Sequence, residues 1–379
     1  MKKHTFTLEM EKIIKVNFPE FDPEQILEKS ELLRYINEKT KSVDKGSKAR
    51  ANFGSLYAIY VLVEDYVNNG FFDSFLTNLD YSNYEGAQFT NLIKRMRELP
   101  FGSKLQNHAL NSRVNSEFHK FFFDTDYEPI IRDQSNNRYW INEKLLKLTL
   151  NNFNQINQIN IAQVILQIIN KYIEMKQDNF ENFIFEVEQI KSLTYTASLE
   201  KIKSFLKPNV DARIFEIVSF SILKHYYSNT IIYWYTNFNF NINSEIATLY
   251  KTGRTNANDG GIDFVMKPLG RFFQVTEVID VNKYFLDIDK VNRYPVTFVV
   301  KSEKTEDEIK NEIQAQALKR YSITKVVNEM MNCIEEIINI PKLLTTINSH
   351  TNDITYLNKV VDEIILQSKI EFNKYEDEE

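Results

Sequence analysis

The residues of this chain whose types and spacing could do chemistry are concentrated in Asn258-Asp-Gly-Gly-Ile-Asp-Phe264 and, a little further on, in Gln274-Val-Thr276. An Asp, a Gln and a Thr gathered on one surface offer hard oxygen atoms, the ligand type that magnesium takes. A divalent cation held that way polarises a phosphate, stabilises a leaving oxygen and supplies a hydroxide-like water, which is what phosphodiester hydrolysis requires. Ten residues separate Asp263 from Gln274, and one separates Gln274 from Thr276. With Leu269-Gly270 as a hairpin tip, Asp263 would face Thr276 and Val265 would face Gln274, and the period of two along a strand would turn all four to one side. Taken alone, paired glycines mark many turns and Asp263 would read as a surface aspartate. The combination carries the expectation.

Such residues need a sheet to hold them. From Ala212 the order of elements is helix, strand, hairpin, strand, helix, which predicts an α/β (α+β) unit with a mixed central sheet flanked by helices. Ala212 to Tyr226 has helical spacing, and Thr230 to Asn237 has the aromatic and β-branched content of a strand. Gly261 to Met266 and Arg271 to Ile279 read as two strands joined by Lys-Pro-Leu-Gly, and Val296 to Val300 as a buried strand. Thr305 to Arg320 is a helix opening on Thr-Glu-Asp-Glu, a capping-box pattern, and the remainder to about Lys369 reads as helical. Upstream, about Glu9 to Leu199 is mostly helical, with apolar residues at helical spacing in Glu24 to Asn37, Gly54 to Val67, Tyr84 to Leu99 and Asn160 to Met175. Tyr127 to Ile141 predicts a hairpin around Ser135-Asn-Asn137. The Pro-Asn break in Lys207-Pro-Asn-Val-Asp211 separates a mainly helical N-terminal domain, residues 1–205, from a second domain, residues 206–379.

The arrangement of Asp263, Gln274 and Thr276 resembles the active site of the PD-(D/E)XK nuclease superfamily, in which an acidic residue on one strand is followed by Glu-x-Lys or Gln-x-Lys on the next. Asp259-Gly-Gly-Ile-Asp263 is similar to the Asp-Gly-Gly-Ile-Asp stretch of its Gln-bearing branch, and Arg213-Ile-Phe-Glu216 is similar to the Phe-Glu pair of its preceding helix. More closely, Lys251-Thr-Gly-Arg-Thr-Asn-Ala-Asn-Asp-Gly-Gly-Ile-Asp263 continuing through Gly270-Arg-Phe-Phe-Gln-Val-Thr-Glu-Val278 resembles the core of HaeII-type type II restriction endonucleases. Weaker similarity runs through Ser47 to Tyr57 and His108 to Arg113, so the resemblance covers most of the chain. It implies a restriction-endonuclease-like fold and magnesium-dependent cutting of both strands of double-stranded DNA at a short specific site. It also implies Asp263 and Glu216 as metal ligands, Gln274 in place of the second carboxylate, and the Val275 carbonyl as a further ligand. A homodimer and a cognate DNA methyltransferase of the same restriction-modification system follow from the same resemblance. Thr276 departs from it, standing where the family has lysine. Lys267, roughly 13 Å along the strand from Asp263, and Lys283 and Arg254, in less regular segments, are the candidates to supply that charge; the sequence does not choose among them.

Other residues suit contact with DNA. Arg254, Asn256 and Asn258 precede the metal-bearing strand and could reach phosphates or base edges, or form a solvated loop. Lys48 and Arg50 close a basic stretch that begins at Lys39, which reads as a phosphate-contacting loop or as a solvated helix junction; Arg113 adds positive charge, and the turn Asn137-Arg138-Tyr139 has side chains suited to reading bases. A net charge of -6 argues mildly against a protein that coats nucleic acid without deciding the field along one groove. The single cysteine, Cys333, excludes an intramolecular disulfide and a Cys-rich zinc site and is expected as a packed thiol. No stretch approaches the roughly 20 apolar residues that span a bilayer, so a cytoplasmic protein is expected. The competing functions are a DNA-repair or modification-dependent nuclease with the same core and, because the lysine is missing, a catalytically inactive DNA-binding module.

Overall fold

The computed structural model describes residues 2–41, 43, 49–72, 80–102, 105–152, 155–236, 241–252, 262–350 and 353–371. The chain is mixed α/β and forms two compact units, Met1–Glu181 and Asn182–Glu379, which divide within the long helix Ala162–Ile190. The Pro208-Asn209 break lies inside the second unit, between the helices Tyr195–Ser204 and Ala212–Tyr227. Among the described residues, no helix is long and apolar enough to cross a membrane.

In the first unit, the helices Thr5–Asn17, Pro23–Lys29, Glu31–Thr40 and Ala49–Asn68 enclose an aromatic core in which Phe53 packs on Tyr57 and Tyr172. The single helix expected over Glu24 to Asn37 is broken at Ser30. Ser30 takes an extended backbone and its hydroxyl accepts from Leu33 N at 3.1 Å, capping a second helix, as a serine at that position favours. Strands β1 (Ala87–Gln88), β2 (Ile130–Asp133) and β3 (Arg138–Ile141) form a small sheet in the order β1-β3-β2. The β2–β3 hairpin is the one expected from the sequence, and Asp133 closes its turn by accepting from Ser135 N and Asn136 N at 3.0 and 3.2 Å. Strands β4 (Lys147–Asn152) and β5 (Gln155–Asn160) pair antiparallel as a second hairpin.

In the second unit, the helix Ala212–Tyr227 begins where Asp211 accepts from Arg213 N at 2.8 Å. Its residues from Ile217 to Leu223 are all buried, which is possible because Ser219 and Ser221 satisfy their hydroxyls on carbonyls one turn back. A two-stranded ribbon follows, β6 (Ile231–Thr236) with β7 (Asn241–Ile246), and then the main sheet. That sheet comprises β8 (Thr248–Lys251), β9 (Phe264–Lys267), β10 (Arg271–Thr276), β11 (Val296–Val300) and β12 (Ile334–Asn339), in the order β12-β11-β10-β9-β8. It is mixed: β10, β11 and β12 run parallel, while β9 is antiparallel to both β10 and β8. Phe264 and Phe273 turn to the helix Ala212–Tyr227, where they meet Phe220 and Tyr227. Phe272 and Phe298 belong instead to the cluster shared with the helices Val281–Lys290 and Glu306–Arg320. The latter helix has the expected capping box, Thr305 N donating to Glu308 Oε2 at 2.7 Å and Glu308 N to Thr305 Oγ1 at 3.3 Å.

The region after Arg320 is not wholly helical, because Ile334–Asn339 is a strand. Ile334-Glu-Glu-Ile-Ile338 has spacing that suits either element, and the fully buried, apolar β11 requires a hydrogen-bonding neighbour on its second edge. Cys333 thus ends a helix at the strand boundary, half-buried, with its Sγ donating to Arg293 O at 3.3 Å. The hairpin register also differs from that expected. Met266 pairs with Arg271, Val265 with Phe272 and Phe264 with Phe273, so the tip is Pro268-Leu269. Gly270 turns the chain with φ +67°, a conformation glycine adopts without a Cβ clash, and its N–H closes the loop on Met266 O at 2.8 Å.

Candidate metal centre

Asp263 lies just before β9 and is fastened to the backbone on both sides of Gln274. Its N–H donates to Phe273 O at 3.0 Å, and its Oδ2 accepts from Val275 N at 2.7 Å. It therefore does not stand across from Thr276, the consequence of the two-residue shift in register. On the other side Thr252 N donates to Asp263 O at 3.1 Å, tying the aspartate to the end of β8. The Asp263 backbone is thus fixed from both sides, and its side chain from β10.

Glu216 reaches this place from the first turns of the helix Ala212–Tyr227. Its Oε1 is 3.0 Å from Lys251 Nζ at the end of β8, and both side chains are largely buried. Lys251 is level with Phe264, the neighbour of Asp263, in the β8–β9 ladder. Glu216 is near enough for its charge to act on Asp263. Burial, and then the negative charge of Glu216, push Asp263 well above the usual carboxylate range, although the Val275 N–H, Lys283 and Lys251 all oppose the shift. Asp263 keeps some contact with solvent, so the enclosure is dense without being sealed.

Gln274 is buried, with its Nε2 donating to Val275 O at 3.3 Å and its Oε1 buried without a hydrogen-bond partner among the described residues. An orphaned buried acceptor costs about 1–3 kcal/mol unless something satisfies it. Thr276 is buried, and its hydroxyl donates to Val278 O at 3.1 Å, which leaves it a structural partner. Glu277 is held by Lys301 at 2.7 Å. Among the described residues no three His, Cys, Asp or Glu side chains come together. The potential ligands here are two carboxylates, an amide oxygen and the Val275 carbonyl.

The candidate lysines separate clearly. Lys267 is exposed at the far end of the hairpin and pairs with Glu245 at 3.0 Å. Lys283, in the first turn of the helix Val281–Lys290, is half-buried, has no ion-pair partner among the described residues, and has a field that reaches Asp263. Lys251, which sequence reasoning did not single out, is the cation bound to Glu216. The signal that could have found it is the alternation in Ala247-Thr-Leu-Tyr-Lys251, where Ala247 and Leu249 are buried, because a strand there brings its last residue back to the start of β9.

Of the residues expected to touch DNA, Arg254, Asn256, Asn258 and Lys48, together with the side chain of Arg50, lie outside the described residues. Arg113 is half-buried in the first unit, near enough to Tyr35 for its charge to act there. Arg138 is on β3 and is already engaged, donating to Gly86 O at 2.9 Å and Glu85 Oε2 at 3.1 Å. No protein-family model, curated protein or solved structure matches the chain.

Proposed function

We propose that the chain is a magnesium-dependent endonuclease that cuts double-stranded DNA at a short specific site, as a type II restriction endonuclease of the PD-(D/E)XK kind. The observation that carries this reading is the pairing of two enclosed carboxylates, Asp263 and Glu216, the first driven toward its neutral form by burial and then by the charge of the second. A buried pair of like charges is stabilised by a cation, and shifts of this kind concentrate at functional sites. The donor set is hard oxygen throughout, and Gln274 Oε1 adds a buried acceptor that has no hydrogen-bond partner among the described residues. Asp263, Glu216 and the Val275 carbonyl would hold magnesium, with Gln274 beside them. Bound there, the ion would stabilise charge on the phosphate and ease ionisation of an attacking water.

The chain's own groups have separable tasks. The Val275 N–H orients the Asp263 carboxylate, and Lys251 holds Glu216 and balances its charge. Lys283, with no ion-pair partner among the described residues, supplies the positive charge that Thr276 cannot. Two such centres, one for each DNA strand, call for a homodimer. A cytoplasmic location and a cognate DNA methyltransferase complete this reading.

The missing lysine favours one competitor, a DNA-binding module without activity. Digestion of DNA of known sequence with Mg2+ or Mn2+, followed by mapping of the ends, separates the readings. Discrete ends at one short sequence support restriction, and cutting confined to modified DNA or to lesions supports the modification-dependent or repair nuclease. DNA bound but never cut would leave the inactive module.

A further inference from the structure

The ribbon formed by β6 and β7 is built unlike the rest of the second unit. Ile231 pairs with Ile246, Tyr233 with Ser244 and Tyr235 with Ile242, which puts these six side chains on one face. The five large ones are 51 to 68 % exposed. The opposite face, with Ile232, Trp234, Asn243 and Glu245, is the half-buried one, so the ribbon presents its more apolar side to water. Among the described residues β6 and β7 pair only with each other, and an isolated two-stranded ribbon is at best marginally stable in water. It is rooted by Ala247 N donating to Thr230 O at 2.8 Å and runs directly into β8.

We infer that this face is the surface through which two copies of the chain associate. The composition selects the occupant. From Ile231 to Ile246 the only charged residue is Glu245, and Lys267 already pairs with it at 3.0 Å. The ribbon therefore offers no cation to a nucleic-acid phosphate or an anionic membrane surface. A two-fold interface needs one patch that fits itself, and a neutral face of tyrosine and isoleucine around the small Ser244 has no like charges to bring together. Tyrosine suits the role, because its ring is buried while its hydroxyl stays wet at the rim. With large side chains of roughly 200 Å² each, the five expose on the order of 600 Å² per copy, approaching the ~800 Å² per partner of a standard stable interface. The surface rests on exposure and composition, so it stands or falls independently of the nuclease reading.

The test measures the solution mass of the full chain without DNA across a concentration series, together with hydrogen exchange of the ribbon. The expected mass is twice the 44.8 kDa of one chain, falling to that of one chain in the double substitution Tyr233→Ser, Tyr235→Ser, with the far-ultraviolet spectrum unchanged. Wild-type amides in β6 and β7 should be protected at high concentration and lose protection at least tenfold on dilution, a readout that needs no variant to fold. A wild type that stays at 44.8 kDa, or a dimer protected elsewhere, would overturn the inference. So would a ribbon protected only when DNA is added.

Discussion

Each unit contains a largely buried carboxylate with a lysine beside it, and the two are in opposite electrostatic states. In the first unit Glu117 receives Lys39 Nζ at 2.5 Å, Tyr35 OH at 2.7 Å and Ser55 Oγ at 3.0 Å on the same oxygen. Burial pushes its pKa up, but these three donors outweigh burial and hold it below the usual range. In the second unit Asp263 has one backbone donor, and burial together with Glu216 pushes it well above that range. Glu117 is a finished structural group, whereas the charged form of Asp263 is not balanced by its neighbours among the described residues. On the proposed function, the contrast is between a carboxylate that holds a fold together and one that a fold holds for use.

The largest effect that sharpens this contrast is on cleavage. Asp263→Asn should lower magnesium-dependent cutting on the order of 10³-fold or more, the scale of removing a metal's charge stabilisation, while binding of the same duplex persists; gel assays of cutting and binding check both. Glu117→Gln should do the reverse. It leaves Lys39 buried without its counter-charge and is expected to cost about 3 kcal/mol of stability, seen by denaturant unfolding, with the cutting rate of the folded fraction unchanged. A lowered native pKa stabilises above the ordinary carboxylate pKa and loses that contribution as pH falls through the native value, so the difference from wild type should vanish in acid.

Lys283→Met should reduce cutting on the order of 10²-fold and Lys251→Met about 10-fold, each worth roughly 1.4 kcal/mol per decade, while Lys267→Met should change it less than about twofold. Single-turnover rates give the ranking; a large loss at Lys267 would break the assignment of the charge to Lys283. The smallest effect is on stability without metal. The raised pKa of Asp263 means that the native state is favoured below the ordinary carboxylate pKa and pays for ionisation as pH rises through the native value. Metal-free Asp263→Asn should therefore unfold at a higher temperature than wild type at neutral pH, with the gap closing in acid.

How much of this was legible in the sequence depended on whether the signal was local. Val296 to Val300 was readable to the residue because a short run rich in β-branched and aromatic residues favours a buried place between two other strands. Asp263 could be singled out because the paired glycines and the Gln-x-Thr downstream set it apart, and its enclosure was not visible locally. The hairpin register was not, since Lys-Pro-Leu-Gly fits more than one turn and the loop closure is settled by Gly270 reaching Met266 O. β12 and Lys251 were missed for a shared reason: each acquires its meaning from a neighbouring strand that the local pattern does not contain. The exposed ribbon face was half visible, because the aromatic strand β6 was evident and its partner β7 was not.

The central claim, that Asp263 and Glu216 together await a cation, is tested most directly by the effect of magnesium on unfolding without DNA. At ten times its Kd, an ion that binds only the native state adds about 1.4 kcal/mol. Wild type and Glu117→Gln should both gain that stability, and neither Asp263→Asn nor Glu216→Gln should gain it. An equal gain in all four proteins, or none in the wild type, would contradict the account.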